Sequence, residues 1–122
     1  MSTLSKNKLV TAEDLLHLPS DGYRYELFRG KLRQMSLAGE EHGDVAMEIG
    51  SRLAQFVREN NLGKVYAAET GFKLTENPDT VRAPDVAFIS RESLERQPRT
   101  KGYRKGAPDL AAEVVSPNDR PT

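Results

Sequence analysis

The spacing of apolar residues along this chain shifts from helical to alternating and back, and the shifts divide it into elements. Thr11-Ala12-Glu13-Asp14 followed by Leu15, Leu16 and Leu18 predicts a short helix ended by Pro19. Thr11 is placed to cap it, with Asp14 at the third helical position in an approximate capping box. From Gly22 to Leu37 two alternating runs flank Arg29-Gly30, the pattern of a tight β-hairpin. Between His42 and about Asn61, Val45, Ala46, Ile49, Gly50, Leu53, Phe56 and Val57 fall at helical spacing and make one wide apolar stripe. Gly63 is placed to stop that helix. Lys64–Leu74 predicts a strand bent at Gly71, and Glu76–Asp79 a turn into Val81, which makes a second hairpin.

Two later runs, Val81–Ser90 and Asp109–Ser116, are short, apolar and not helical in spacing. Each has a carboxylate in its middle, Asp85 in one and Glu113 in the other, and each predicts a strand buried on both faces. The segment 91–106 between them predicts a long connection, and Ser116–Arg120 a turn into another helix. The order is helix, hairpin, helix, three strands. It argues an α+β fold in which a mixed β-sheet carries an N-terminal hairpin and a long helix packed across it.

At 122 residues the chain is one domain. Eighteen basic and eighteen acidic residues cancel, so net charge singles out no nucleic-acid, membrane or acidic partner. Charge is instead local: the connection 91–106 holds six basic residues against two acidic ones and includes Tyr103. Such a segment is a solvated loop or a contact for a phosphate backbone. The absence of cysteine excludes disulfides and thiolate metal sites and is compatible with a cytoplasmic location. The first residues have no signal-peptide core, and no run approaches the ~20 apolar residues of a membrane span.

A carboxylate inside an apolar strand costs several kcal/mol if unpaired, so something cationic or protonated belongs beside it. Asp85 shares a strand face with Ala83, Ala87 and Ile89, and Glu113 shares one with Ala111 and Val115. If the two strands pair, about 4.8 Å apart, both acids converge beside small side chains with room for an ion or a phosphate. Neither has an evident cationic neighbour at a fixed strand spacing, which makes the pair a candidate site for magnesium or manganese. Glu26 is placed either to pair across strands with Arg24, Arg33 or Lys31, or to line the rim of a site. His42 points inward at the start of the long helix, where it caps and packs, or lines a site. Glu69 has the same two readings, a surface pair or an inward position, and His17 reads as a surface or packing residue.

Several of these residues together resemble the Uma-two family of restriction-endonuclease-like proteins, assigned to the PD-(D/E)XK nuclease fold. They are Tyr25-Glu26-Leu27 with Gly30, His42, Arg82-Ala83-Pro84-Asp85-Val86, and Ala107-Pro108-Asp109-Leu110-Ala111-Ala112-Glu113-Val114-Val115-Ser116-Pro117. The resemblance runs from about Leu15 to the last residue. It implies a metal-dependent endonuclease that hydrolyses phosphodiesters, with Asp85 and Glu113 as metal ligands and Glu26 and His42 in the same catalytic site. It also implies magnesium or manganese as cofactor and DNA as the nucleic-acid partner. In the general nuclease pattern a lysine follows the second acid by two positions, and here that position is Val115. In the family the lysine lies on a later helix, followed by a final strand. By that reading residues 1–122 are one C-terminally incomplete domain, and the 122-residue form is inactive or weak. Lys101, Arg104, Lys105 and Arg120 are its candidate replacement cations. Two other functions compete with the nuclease. One is a non-catalytic module that holds nucleic acid or protein in the same basic cleft. The other is a structural domain whose buried acids pair with arginines such as Arg82 and whose open sheet edge joins a second copy in a homodimer.

Overall fold

The computed structural model describes residues 8–19 and 21–115; the turn expected at Ser116–Arg120 lies outside the described residues. In chain order the elements are α1 (Ala12–Leu16), β1 (Arg24–Phe28), β2 (Lys31–Met35), α2 (Glu40–Glu59), β3 (Gly63–Ala67), β4 (Phe72–Thr75), β5 (Thr80–Arg82), β6 (Val86–Ser90), α3 (Arg91–Arg96), β7 (Arg104–Lys105) and β8 (Leu110–Ala112). They form two compact units. One holds the described residues of Met1–Ser36, Gly71–Ala83 and Thr100–Ala107, and the other those of Leu37–Thr70, Pro84–Arg99 and Pro108–Thr122.

The first unit is built on a five-stranded sheet of order β2-β1-β5-β4-β7, mixed because β7 joins β4 in parallel. Its hairpin turns at Arg29-Gly30, where both residues have positive φ, 48° and 80°, as a two-residue type I′ turn requires. Gly30 is further constrained, since a Cβ there would come within 2.8 Å of Leu9 Cδ2. The turn also ties down two neighbours: Gly30 N–H donates to the Asp79 carbonyl at 2.8 Å, and Val10 N–H to the Gly30 carbonyl at 2.8 Å. The expected capping box forms, with Asp14 N–H on Thr11 Oγ1 at 3.1 Å and Thr11 N–H on Asp14 Oδ2 at 3.0 Å. Ala12 N–H, otherwise an orphan donor of the first helical turn, donates to Asp79 Oδ2 at 2.7 Å and docks α1 onto the turn between β4 and β5. Val10, Ala12, Leu15, Leu27 and Val81 close the core beneath. His17 takes the surface reading: it is exposed, and its Nδ1 lies 2.9 Å from the Glu13 carbonyl.

The second unit places α2 against β3 and β6 of a three-stranded antiparallel sheet of order β3-β6-β8. The fold is thus α+β with a mixed sheet and a long helix, and the helix lies on the smaller sheet. Its apolar stripe is wider than the face it buries. Val57 is buried, whereas Val45, Ile49 and Phe56 stay exposed. The helix ends at Asn60, and Asn61 supplies the positive φ of 52° there; Gly63 instead belongs to β3, where a Cβ would collide with the Ile89 carbonyl.

Three expectations from the sequence are corrected. Lys64–Leu74 is two strands, β3 and β4, separated by the turn around Glu69 (φ 71°). Val81–Ser90 is also two strands, β5 and β6, because Pro84 has no N–H to give to a ladder and interrupts the run. Segment 91–106 is not one long loop. Ser90 Oγ accepts from Ser93 N–H at 3.1 Å and starts α3, whose Arg96 pairs with Glu92 at 2.8 Å, and Arg104–Lys105 adds a strand. A six-residue helix is too short to declare a period, although Ser90 as its cap was visible.

Leu27 is 0 % exposed and Leu110 is 50 % exposed, so the two test how burial converts into stability. Leu27→Ala is expected to lower unfolding free energy by about 2–5 kcal/mol, and Leu110→Ala by well under that, in urea titrations. Equal losses would mean that Leu27 is not in a packed core in solution.

Asp109 accepts from Ser90 N–H at 2.7 Å and from Ser93 Oγ at 3.2 Å, joining the start of β8 to the start of α3. The Ser90 N–H, ahead of the serine hydroxyls and Arg96, holds its carboxyl below the usual aspartate range, outweighing slight burial. A depressed folded value means that this contribution is complete above the unfolded value of about 3.9 and is lost as pH falls through the folded one. Asp109→Asn is expected to flatten that part of the acid limb in melts between pH 5 and 2. An unchanged limb would show that the bond does not persist in solution.

Candidate functional site

β6 and β8 run antiparallel with Val86 opposite Ala112, Ala87 opposite Ala111 and Phe88 opposite Leu110. Continuing that register by one step sets Asp85 opposite Glu113. The two acids are therefore brought together, although not in mid-strand as expected. Asp85 immediately precedes β6 and Glu113 immediately follows β8, because the ladder stops where each carboxylate begins to compete for backbone donors. β8 is also not buried on both faces: Leu110 and Ala111 are exposed and Ala112 is half-buried.

Beyond the ladder the carboxylates take over the hydrogen bonding. Asp85 Oδ2 accepts from Val114 N–H at 2.7 Å, and Glu113 Oε1 accepts from Asp85 N–H at 3.2 Å. Each acid thus holds the backbone at or next to the other, which fixes both without a covalent link or a third element. The sequence suggested no cation beside them, and the structure supplies one. His42, in the first turn of α2, brings Nε2 to 3.2 Å from Asp85 Oδ2, with the two side chains 15 % and 18 % exposed. Because a carboxylate only accepts, Nε2 carries the proton in this contact. The other ring nitrogen, Nδ1, is buried without a hydrogen-bond partner among the described residues.

The donor set decides which cation would suit. Among the described residues no group of three or more His, Asp or Glu side chains is arranged to hold a metal ion, which disfavours a closed protein cage. Two adjacent carboxylates, one half-buried and one exposed, match the habit of magnesium, which takes one or two carboxylates and completes its shell with water and phosphate. Asp85 and Glu113 fit such an ion.

Glu26 belongs to a different constellation. It is 5 % exposed on β1, beside β5, where Leu27 pairs with Val81 and the next step sets Glu26 against Arg82. Glu26 Oε2 accepts from Ala83 N–H at 2.7 Å. Its Oε1 lies 3.1 Å from Arg82 Nε, an ion pair out of line for a hydrogen bond. The expected partners Arg24, Arg33 and Lys31 are corrected to Arg82, and Arg82 goes to Glu26 rather than to the Asp85–Glu113 pair. Sequence alone pointed to the hairpin partner because β2 follows β1 directly, whereas β5 arrives from 50 residues later. Glu69 is exposed in its turn. Lys105 lies 3.5 Å from Glu76, and Arg120 lies outside the described residues. Val115, in the place of the general pattern's lysine, is 73 % exposed.

With this geometry in view, comparison with known proteins is informative. Residues 12–122 match a family model, Uma2, described as "Putative restriction endonuclease". The chain is also similar in structure to a protein from Anabaena variabilis ATCC 29413 described as "a putative nuclease belonging to DUF820". That match has a TM-score of 0.69 and 22 % identity over 91 % of this chain, which shows a shared fold. The chain spans 61 % of that protein's length. A search of curated proteins returns no match.

Removing one member of a buried ion pair strands the other charge, at about 3–5 kcal/mol when both are fully buried. Arg82 is partly exposed, so Glu26→Ala is expected to cost about 2–3 kcal/mol of stability by denaturant titration. In a double-mutant cycle Glu26→Ala and Arg82→Ala are expected to be strongly non-additive. Additive losses would show that the two side chains do not interact.

Proposed function

Because the chain belongs to the Uma2 family, we propose that it is a metal-dependent endonuclease domain that engages DNA at the Asp85–Glu113 pair. The observation that carries this reading is the reciprocal bonding of the two acids, Asp85 Oδ2 to Val114 N–H and Glu113 Oε1 to Asp85 N–H. It presents two carboxylates side by side at the end of a sheet, held before any ligand arrives. Asp85 and Glu113 would hold magnesium or manganese. When bound, such an ion supplies Lewis acidity toward a phosphoryl oxygen and lowers the pKa of a bound water. His42 acts on the protein side: its Nε2–H orients Asp85 and offsets the repulsion between two neighbouring carboxylates. Glu26 supports from a distance in sequence, fixing the Ala83 N–H two residues before Asp85.

A second reading, a non-catalytic nucleic-acid or protein binding module, is favoured by one observation, the exposed Val115 where a lysine would stabilise charge on the phosphate. We accordingly assign the 122-residue form little or no cleavage activity. Partners in this reading are DNA and, across the open outer edge of β8, a second copy of the chain. No described helix is long and apolar enough to cross a membrane, and the reading places the protein in the cytoplasm.

Calorimetric titration of manganese into wild type, Asp85→Asn and Glu113→Gln tests the site. Binding by the wild type that weakens at least about tenfold in each variant is expected, since each variant removes one of two charged ligands. Equal binding by all three would remove the shared site. Plasmid incubated with magnesium or manganese is expected to stay intact; efficient cleavage lost in Asp85→Ala would show that one of the chain's own cations does the lysine's work.

A further inference from the structure

The second unit has a cleft of about 190 Å³ between the last turn of α2 and the start of β3. Its floor is Ala54, Val57 and Val65, and its rim carries Arg58, Asn61 and Lys64. The volume is below the roughly 300–1,000 Å³ of pockets that take cofactors or drug-sized ligands, which leaves a small group with some of its water. The cations are what distinguish it. Arg52 and Arg96 of the same unit are each tied to a glutamate one turn away, at 2.7 and 2.8 Å. Arg58 and Lys64 make no ion pair among the described residues and are exposed. One cation in the last turn is enough to complement a helix C-terminus, so Arg58 accounts for the helix and Lys64 is surplus to it. Two unpaired cations and an amide around an apolar floor are the complement of a small tetrahedral anion, with the guanidinium able to take two oxygens at once.

We propose that this cleft binds one backbone phosphate of the nucleic acid, held by Arg58 and Lys64 with Asn61, as a contact separate from the Asp85–Glu113 pair; the nucleic-acid part rests on the function proposed above. The spacing is compatible with a bound strand. Lys64 pairs with Ile89, four residues along the chain from Asp85, or about 13 Å at ~3.3 Å per residue. Arg58 and His42 lie sixteen residues apart on α2, about 24 Å at ~1.5 Å per residue. At ~3.4 Å per base-pair step those separations correspond to roughly four to seven steps. A chain with zero net charge has no overall field to draw in a polyanion, so local unpaired cations must do it.

Two measurements test this, with Arg58→Gln/Lys64→Gln as the variant and Arg96→Gln as a control cation already paired. Inorganic phosphate titrated into the wild type should shift the backbone amide resonances of Asn61, Gly63 and Lys64, and the shifts should vanish in the double variant but not in the control. Absence of these shifts in the wild type overturns the cleft whatever the protein does. Anisotropy of a labelled 20-base-pair duplex, without divalent cations so that cleavage does not intervene, tests the ligand's source. The double variant should bind about tenfold more weakly, with the slope of log K against log salt reduced by about one. Phosphate shifts with unchanged duplex affinity and slope would overturn the nucleic-acid assignment and leave a free-anion site. A wild type that binds no duplex at low salt would overturn it together with the DNA-binding part of the proposed function.

Discussion

The second unit depends on how a β-ladder ends. Antiparallel strands satisfy their backbone groups through each other until one strand runs out of partners, and at that point a donor must find another acceptor. Here β6 and β8 run out at Asp85 and Glu113, and each carboxylate accepts the donor at or next to the other. Hydrogen bonds to a charged group contribute about 1.5–3 kcal/mol each, more than the ladder bonds they replace. The local gain has a wider consequence. It holds two negative charges at adjacent positions, which is unfavourable unless a positive charge is near, and α2 starts where His42 can reach Asp85. The ladder's end, the helix's start and the acidic pair are one arrangement.

The other structural acids show what a carboxylate looks like when its role is complete. Asp79 uses Oδ2 to hold the start of α1, and Asp109 uses Oδ2 to hold the start of α3. Glu26 commits one oxygen to Ala83 N–H and presents the other to Arg82, at 5 % exposure. Each of these is locked by donors the fold itself supplies. Asp85 differs in sharing one oxygen, Oδ2, between a backbone donor and a histidine, and Glu113 differs in remaining exposed. Carboxylates fixed by their neighbours and still open to solvent can take a further charge without being reorganised first. That property separates the candidate site from the bracing acids better than sequence position does.

Much of this was legible in the residues, for stated reasons. Thr11 and Asp14 announce a capping box because capping chemistry is local, and Arg29-Gly30 announces a hairpin because a two-residue turn needs positive φ. The convergence of Asp85 and Glu113 followed from placing both on neighbouring strands. What was not legible depends on long-range pairing. Nothing near Glu26 in sequence reveals that β5 will lie beside β1, so Arg82 could not be chosen over Arg24. Nor do apolar runs show where a strand leaves one sheet for another. Val81–Ser90 looks continuous until Pro84 is treated as an interruption, and Lys64–Leu74 until the positive φ at Glu69 is known.

These points bear on how a nuclease fold can lose or keep its chemistry. The acidic pair is maintained by backbone hydrogen bonds that stabilise the domain whether or not a metal binds, so selection for folding alone would preserve it. A lysine that stabilises charge on a phosphate has no such second role, and an exposed position such as Val115 can change with little effect on stability. The acids are therefore the poorer indicator of catalysis, and the cation is the better one. In this chain the cation in contact with Asp85 is His42, which the carboxylate holds in place and which is largely buried. A histidine held in that way can orient its partner; whether phosphodiester cleavage follows depends on a charge that can reach the phosphate itself.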